Sequence, residues 1–292
     1  MAKHAYCILA HNEPELFRRL VLLLDHPEND LFIHIDKRSD ISLFQTVSCR
    51  YSHMTFIKER RACNWGSLSI VKAEIALFET ALRKRPYAYY HLLSGVDMPL
   101  KGQEEIHRFL DDNPGRNFIG FCRPHDEEKD ERTRFYHLLV YRPNGTRWQR
   151  ACNWVDRTSV KVQRKLGIRV HYPFRLYKGA QWVTLSHDFV DWLVGQKQRI
   201  NRLFRFSFIP DERVIQSFFM ASPYAGTLYR PDGQEYQQCM REIDWQRGSP
   251  YTWREEDFDE LVRSERWFAR KFSSDHMELV DRLFHHIKGQ ED

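Results

Sequence analysis

The first forty residues hold two short apolar runs separated by an amphipathic segment. This pattern limits the possible folds of the chain more than any other feature of the sequence. The apolar runs are residues 6–10 and 31–35. Between them, Asn12 can cap a helix that has Pro14 in its first turn. Leucines at positions 16, 20, 23 and 24 then give this helix one apolar face. A strand, a helix and a strand of this length predict a βαβ unit, in which the two strands are parallel.

The pattern continues with further strands at 54–57, 87–93 and 117–121 and helices at about 68–82 and 103–112. We therefore expect an α/β fold with a Rossmann-like, mostly parallel sheet flanked by helices, followed by an α+β C-terminal part. No repeat or low-complexity linker divides the chain. We expect one domain over 1–292, with a nucleotide-binding half (1–122) and an acceptor and catalytic half (123–292). Ligands of such sheets bind beyond the carboxyl ends of the strands.

Composition and charge limit the class of function. The net charge of +5 suits an anionic small molecule or membrane surface, and no tract carries an RNA-module pattern. Residues 157–178 hold seven Lys or Arg and no acidic residue, which predicts a solvated face or a contact with an anionic membrane. No signal peptide or membrane span is evident, and the scattered cysteines predict free thiols. These features predict a cytoplasmic enzyme, with peripheral attachment to the inner membrane face left open.

Glu212 is the candidate general base. An apolar run, residues 206–209, ends at Pro210, and Asp211 and Glu212 follow in the predicted first turn of a helix. The helix dipole would lower the pKa of Glu212, whereas burial among the preceding aromatic residues would raise it. Acidic residues are also common in first turns for structural reasons alone.

No metal site is evident from the sequence. Only Asp97 is acidic in the stretch from Ser94 to Asp97, Asp257 and Asp259 lie in an acidic surface-like run, and the histidines lack ligand spacing. Fixed cations must then neutralise an anionic leaving group. Arg270 and Lys271 lie between aromatic residues, and the third candidate cation is Arg241.

The motifs together resemble the core-2/I-branching β-1,6-N-acetylglucosaminyltransferase and peptide O-xylosyltransferase family, glycosyltransferase family 14. Eight pieces occur in family order: residues 6–11, 33–37, 64–71, 91–100, 179–182, 210–212, 241–245 and 268–272. The resemblance implies a GT-A-type fold, an inverting mechanism, a UDP-sugar donor and no metal or other cofactor.

The resemblance also implies residue roles. Glu212 looks like the catalytic base of the branching enzymes, and Arg241, Arg270 and Lys271 look like the diphosphate-binding cations. The implied nucleotide site comprises His11, Asp36, Trp65 and Gly66, although Asp36 could equally begin a turn. The implied sugar-facing positions are Ser94, Asp97, Gln181 and Trp182.

The chain departs from the xylosyltransferase side of the family, which has Ser-Asp-Trp where this sequence has Ala180-Gln181-Trp182. Gln181 cannot accept a proton, so a base of the branching type must be Glu212. UDP-GlcNAc is the first expected donor and UDP-xylose the alternative. The expected acceptor is a saccharide or glycolipid, although residues 123–150 match the animal enzymes poorly. A non-catalytic nucleotide-sugar-binding protein is the alternative of another class, and nucleic acid is not an expected partner.

Overall fold

The computed structural model describes residues 4–122, 131–139 and 146–289. Much of the region that matches animal enzymes poorly, 123–150, therefore lies outside the described residues. The strands are β1 (His4–Ala10), β2 (Asn29–Ile35), β3 (His53–Phe56), β4 (Tyr89–Ser94), β5 (Met98–Pro99), β6 (Thr184–Ser186), β7 (Arg241–Ile243) and β8 (Phe268–Arg270).

The helices surround these strands and differ widely in length. They are α1 (Pro14–Leu24), α2 (Ser69–Lys84), α3 (Gln103–Asp111), α4 (Glu131–Arg134), α5 (Arg147–Lys165), α6 (His187–Gly195), α7 (Lys197–Phe204), α8 (Val214–Met220), α9 (Glu235–Gln238), α10 (Phe258–Arg263) and α11 (Met277–Lys288). Short 3-10 helices cover Ile41–Leu43, Pro210–Glu212, Ala225–Thr227, Glu255–Asp257 and Ser274–His276.

The main sheet has the strand order β3-β2-β1-β4-β6. The pairs β1/β2, β2/β3 and β1/β4 are parallel, and only the edge pair β4/β6 is antiparallel. The predicted βαβ unit is confirmed, with Tyr6 opposite Leu31 and His91. The expected α/β fold with a mostly parallel sheet flanked by helices is therefore confirmed.

Both faces of the sheet are buried because β1 contributes alternate residues to two separate cores. Tyr6 and Ile8 belong to the core that includes the apolar faces of α1, α3 and α11. Ala5 and Cys7 belong to the core formed with α2, α6, α7 and α8. Each core draws residues from both predicted halves of the chain, and the division at residue 122 stays a prediction.

A second sheet, of order β5-β8-β7, carries the C-terminal part of the chain back to the main sheet. Its strand β8 is antiparallel to β5, which follows the end of β4. The Phe272 N–H also donates to the Val96 carbonyl at 3.0 Å. This pairing places Arg270 beside the carboxyl end of β4, although the two segments are far apart in sequence.

The expected strand at 117–121 does not form as a regular strand. Asn117 and Phe118 make isolated bridges to Leu228 and Thr184 respectively. Beyond them, the backbone of Gly120 is packed so tightly that a Cβ there would lie 2.7 Å from the Glu235 carbonyl oxygen. Isolated contacts with β6, α9 and the segment around Leu228 therefore replace a continuous strand ladder at this point.

Candidate functional site

The candidate site lies at the edge of the main sheet where β1, β2 and β4 end. A short segment, residues 178–182, connects two charged parts of the site, one around Glu212 and the other around Arg270. The Lys178 ammonium lies 3.6 Å from the Glu212 carboxylate, and the Gly179 N–H donates to the Glu212 carbonyl at 2.9 Å. At the other end of the segment, the Trp182 ring lies 4.3 Å from the Arg270 guanidinium carbon. Four residues of chain span at most about 14 Å, so a short segment links the surroundings of Glu212 to those of Arg270.

Glu212 is held between two cations. Its Oε2 lies 3.6 Å from both Arg132 Nη1 and Lys178 Nζ, and its side chain is 30% exposed. At 3.6 Å both contacts are ion pairs, and their N···O distances are longer than those of a good hydrogen bond. Ion pairing therefore positions the carboxylate; its Oε2 is buried, and the exposed part is the rest of the side chain.

The local structure around Glu212 differs in detail from the expectation. Pro210–Glu212 forms a 3-10 turn that follows Ile209 in the left-handed region, at φ 53°. The α-helix begins only at Val214, and its expected apolar face is buried. Phe208 packs its ring against Trp65 and His137. The cations that pair with Glu212 are Arg132 and Lys178.

Arg270 is oriented by an acid and an aromatic ring. Its Nη1 donates to Asp97 Oδ1 at 2.8 Å, and its guanidinium carbon lies over Trp182. Asp97 in turn accepts the Ser94 N–H at 2.8 Å. Burial raises the pKa of Asp97, and the charge of Arg270 opposes this rise. The Arg270 side chain is 20% exposed and keeps further N–H donors for a ligand.

The sugar-facing role expected for Asp97 does not fit its placement. The residue is only 1% exposed, and both carboxylate oxygens are used within the protein. Asp97 instead fixes the direction of Arg270. Ser94, which is 8% exposed, is likewise engaged in the turn, since its hydroxyl accepts the Val96 N–H at 3.2 Å.

Lys271 follows Arg270 and is half-buried. Its backbone is anchored by hydrogen bonds with Tyr251 and Trp253. No ion pair joins its ammonium group to a carboxylate within residues 4–122, 131–139 and 146–289. The adjacent cations thus differ: Arg270 is held by Asp97, whereas the hydrogen bonds of Lys271 to other described residues are made by its backbone.

Arg241 lies elsewhere than expected. It is 1% exposed, and its guanidinium donates to the carbonyls of Cys239 and Val183 at 2.8 and 3.0 Å and to Thr184 Oγ1 at 3.2 Å. Burial lowers its pKa. A contact with a diphosphate would require the side chain to leave these partners. As placed, Arg241 ties β7 to β6 behind the site.

Asp36 is also engaged within the protein rather than open to a ribose. Arg38 donates to both of its carboxylate oxygens, at 3.0 and 2.9 Å, and the Cys63 N–H donates to it at 2.8 Å. Burial would raise the pKa of Asp36, but these hydrogen bonds lower it to about 2. Asp36 therefore anchors the loop after β3, and its partner Arg38 is an exposed cation at this edge.

The other expected nucleotide-site residues lie at the sheet edge. His11 is exposed at the end of β1, where its carbonyl accepts the Ser39 hydroxyl. Trp65 is 38% exposed. Gly66 adopts a φ of 76°, and its carbonyl accepts the Ile209 N–H at 2.8 Å. This last bond joins the loop after β3 directly to the segment that carries Glu212.

Two buried acids next to this site have no role in the sequence analysis. Glu74 on α2 is 1% exposed and accepts a 2.6 Å hydrogen bond from the Gln181 amide. Burial and the nearby Asp211 raise the pKa of Glu74 to about 8, and burial and Glu212 raise that of Asp211 to about 7. The sequence does contain a signal for the burial of Glu74. This residue lies three residues after Val71 and therefore on the apolar face of α2.

Gln181 therefore faces the protein rather than a sugar in this arrangement. A cavity of about 330 Å³ opens beside the same segment, lined by residues that include Phe121, Cys122, Lys178 and Met220. Its volume is that of a small-molecule site. Lys178, which pairs with Glu212, is one of the residues that line this cavity.

Comparison with known proteins assigns the chain to a family. Residues 4–262 match the family model described as "Branch: Core-2/I-Branching enzyme". The chain belongs to the Core-2/I-branching enzyme family. This membership confirms the resemblance stated above, and makes glycosyl transfer the class of chemistry to be considered for the site.

Relatives of this Core-2/I-branching enzyme are xylosyltransferases. It is 22% identical over 99% of its length to Xylosyltransferase 2 of Rattus norvegicus, and 25% identical over 87% to Xylosyltransferase oxt of Drosophila melanogaster. These alignments cover 34% and 30% of the two relatives, so the chain spans about a third of their length. The solved structure of mouse Xyloside xylosyltransferase 1 in its apo form aligns with 91% of this chain and 97% of its own, at 13% identity and a TM-score of 0.36. That likeness is too low for the two sites to be compared.

No helix within the described parts of this family member is long and apolar enough to cross a membrane. The six cysteines, all within the described ranges, are free thiols, as expected: Cys7, Cys49, Cys63, Cys122, Cys152 and Cys239.

Proposed function

We propose that this protein transfers a sugar from a UDP-sugar to a saccharide hydroxyl with inversion at the anomeric carbon. The acceptor oxygen attacks the anomeric carbon, the bond from that carbon to the phosphate oxygen breaks, and UDP leaves with the electron pair. Glu212 takes the proton of the acceptor hydroxyl. The observation that carries the proposal is the short segment 178–182, which contacts Glu212 at one end and Arg270 at the other.

Arg270 and Lys271 supply the positive charge for the leaving group. A guanidinium can donate two parallel hydrogen bonds to phosphate oxygens, and an ammonium acts as a compact charge. Asp97 and Trp182 hold Arg270 in one direction before the ligand arrives. A pre-oriented cation stabilises developing charge without reorganisation. We accordingly propose that transfer needs no metal ion at the diphosphate.

Glu212 is the best placed base among the neighbouring acids. Glu74 and Asp211 are 1% and 8% exposed, which leaves them no path to an acceptor. Glu235 is the nearest rival because burial raises its pKa to about 7, with Glu212 adding to the rise. Glu235 packs against Gly120, however, whereas the Glu212 side chain is 30% exposed and lies between the cations Arg132 and Lys178. Gln181, which cannot accept a proton, occupies the position of the acid in the xylosyltransferase motif.

UDP-GlcNAc is the donor that the branching-type base favours. UDP-xylose is the second candidate, because the relatives are named as xylosyltransferases. Both donors share the UDP group that Arg270 and Lys271 would bind. The two nucleotide sugars can therefore be compared on the same protein.

We also propose that the acceptor is presented at an anionic membrane surface. Helix α5 exposes an apolar stripe: Trp148 is 73% exposed, and Val155, Val162 and Leu166 are also exposed. The stripe lies beside the basic residues of the segment 157–178. Apolar residues flanked by cations on one helix suit the interface of an anionic bilayer.

The proposed diphosphate site can be tested by calorimetry of UDP binding. Arg270→Ala with Lys271→Ala should weaken UDP binding at least about tenfold, because two charge-assisted contacts are lost. The matched control is Arg83→Ala with Lys84→Ala, another adjacent pair, at the end of α2. Unchanged UDP affinity in the first double variant would contradict the assigned cations.

Turnover then separates an enzyme from a binding protein. We expect the wild type to release UDP slowly from UDP-GlcNAc or UDP-xylose, and faster when a saccharide acceptor is present. Adding Mn²⁺ to chelator-treated protein should not increase the rate. UDP binding without turnover of either donor would support the non-catalytic alternative.

A further inference from the structure

A cluster of two histidines and one glutamate lies at the opposite edge of the sheet from the candidate site. His26 and Glu28 are in the connection between α1 and β2, and His107 is on α3. One nitrogen of each histidine and one carboxylate oxygen of Glu28 lie within 4.8 Å of one another. The cluster joins segments about 80 residues apart at the amino-terminal ends of the strands. The seven-residue strand β1 separates this edge from the candidate site by about 20 Å.

The hydrogen-bond network fixes the tautomer of His107. The Asn29 side-chain amide donates to the Leu24 carbonyl and to Gln103 Oε1, both at 2.9 Å. Its oxygen therefore faces His107 Nε2, at 2.8 Å, and can only accept. The proton of the neutral His107 ring must lie on Nε2, which leaves Nδ1 as a bare lone pair.

That lone pair points at another acceptor. His107 Nδ1 lies 3.4 Å from Glu28 Oε2 and has no hydrogen-bond partner within the described residues. The His107 side chain is only 5% exposed, so water does not readily satisfy the nitrogen. A buried nitrogen lone pair facing a carboxylate oxygen is unfavourable, and a cation shared between the two atoms would stabilise the arrangement.

The spacing fits a metal ion. Two ligands bound to zinc at about 2.0–2.1 Å with tetrahedral geometry lie about 3.4 Å apart, which is the separation of His107 Nδ1 and Glu28 Oε2. The His26 ring meets His107 edge to face, with ring centroids 4.8 Å apart. Its Nδ1 accepts only a long hydrogen bond, of 3.2 Å, from the Glu28 N–H. Since one of its nitrogens lies within 4.8 Å of the ligand atoms of Glu28 and His107, His26 is the third candidate ligand.

We propose that His26, Glu28 and His107 bind a divalent transition-metal ion, with zinc as the best match and water in the fourth position. Two imidazoles and a carboxylate suit Zn²⁺, Co²⁺ or Ni²⁺, whereas Mg²⁺ and Ca²⁺ prefer oxygen ligands. The Nε2–H of His107 donates to the Asn29 oxygen, as the second ring nitrogen of a metal-bound histidine commonly does.

The ion would fasten the connection between α1 and β2 to α3. The adjacent Glu28 carbonyl already accepts the His4 N–H at 2.8 Å, so the first residue of β1 is held at the same place. The proposed role is therefore structural, and it is independent of the sugar-transfer proposal.

The test is zinc binding by the untagged, chelator-treated full chain. We expect one zinc ion per chain by elemental analysis after gel filtration, visible absorption typical of four-coordinate Co²⁺ after cobalt loading, and a Tm about 5 °C higher with saturating zinc. Glu28→Gln and His26→Gln should abolish these three signals. Both residues are partly exposed, so these variants should fold.

The matched control is His53→Gln, an exposed histidine at the start of β3. It should bind zinc as the wild type does. No zinc bound by the wild type would overturn the proposal, as would binding that both Glu28→Gln and His26→Gln retain. A Mg²⁺ response equal to that of zinc would overturn the choice of ion. UDP binding provides a separate readout, because it should be the same in the zinc-loaded wild type and in Glu28→Gln.

Discussion

Replacing the buried Glu74, which titrates, by a residue that does not titrate should change how the free energy of unfolding depends on pH. In the folded protein, burial and Asp211 raise the pKa of Glu74 to about 8. In an unfolded chain, a glutamate titrates near 4.3. Between these values the folded state holds a proton that the unfolded state has released. The free energy of unfolding contributed by this group is therefore greatest below pH 4 and is lost as the pH rises towards 8.

The magnitude follows from linkage. A difference of one bound proton changes the free energy of unfolding by roughly 1.4 kcal/mol per pH unit. Between pH 5.5 and pH 7.5, Glu74 alone should thus lower the free energy of unfolding by roughly 2–3 kcal/mol. Glu74→Gln should remove this cost, because the new amide oxygen can still accept the hydrogen bond from Gln181, while no charge forms. Asp211, whose pKa is also raised, should keep part of the slope.

Urea unfolding at pH 5.5, 6.5 and 7.5 measures the effect. The advantage of the variant over the wild type in the free energy of unfolding should begin above about pH 4.3 and grow by roughly 2–3 kcal/mol between pH 5.5 and pH 7.5. Glu79→Gln is the control on the same helix: Lys197 lowers the pKa of Glu79, so its contribution is present at neutral pH and is lost on acidification. Because that pair is partly exposed, the control should lose less than about 1 kcal/mol at pH 7.5. Parallel pH profiles for the wild type and Glu74→Gln would refute the reasoning.

Two further predictions concern packing and the membrane surface. Gly179→Ala places a Cβ 1.8 Å from the Gly120 carbonyl oxygen and should cost roughly 1–3 kcal/mol or prevent folding, whereas Gly195→Ala meets nothing within 4 Å and should be neutral or stabilising by urea unfolding. Val155→Glu with Val162→Glu should abolish sedimentation with phosphatidylserine vesicles while unfolding remains unchanged. Equal binding by this double variant, or equal binding to phosphatidylcholine vesicles, would contradict the membrane proposal.

Much of the framework could be predicted from the sequence because it depends on local patterns. The parallel strands follow from apolar runs and one helical period, and α8 buries the face expected for it. The family order of motifs predicts that Glu212 and Arg270 share one site, and residues 178–182 contact Glu212 at one end and Arg270 at the other. These features repeat over a few residues, so that a single sequence shows them.

The remaining features depend on side-chain partners that are distant in sequence. From the sequence, Arg241 is expected to be a cation available to a ligand. In the structure its guanidinium donates to backbone carbonyls of two separate segments. Asp36 reads as a ligand-binding acid, yet Arg38 and the loop after β3 occupy its oxygens. His26 and His107 are far apart in the sequence, so no metal-ligand spacing is visible there. Helix α3 brings His107 next to His26 only in the folded protein. Burial and pairing of this kind cannot be read from residue type alone.

The central claim is that Glu212 removes the proton of the acceptor hydroxyl. The most direct measurement is kcat of Glu212→Gln with UDP-sugar and a saccharide acceptor, next to Glu235→Gln as the rival base. We predict that Glu212→Gln lowers kcat at least about a hundredfold with UDP affinity unchanged, and that Glu235→Gln keeps most of the activity. Near-normal turnover by Glu212→Gln would contradict the account.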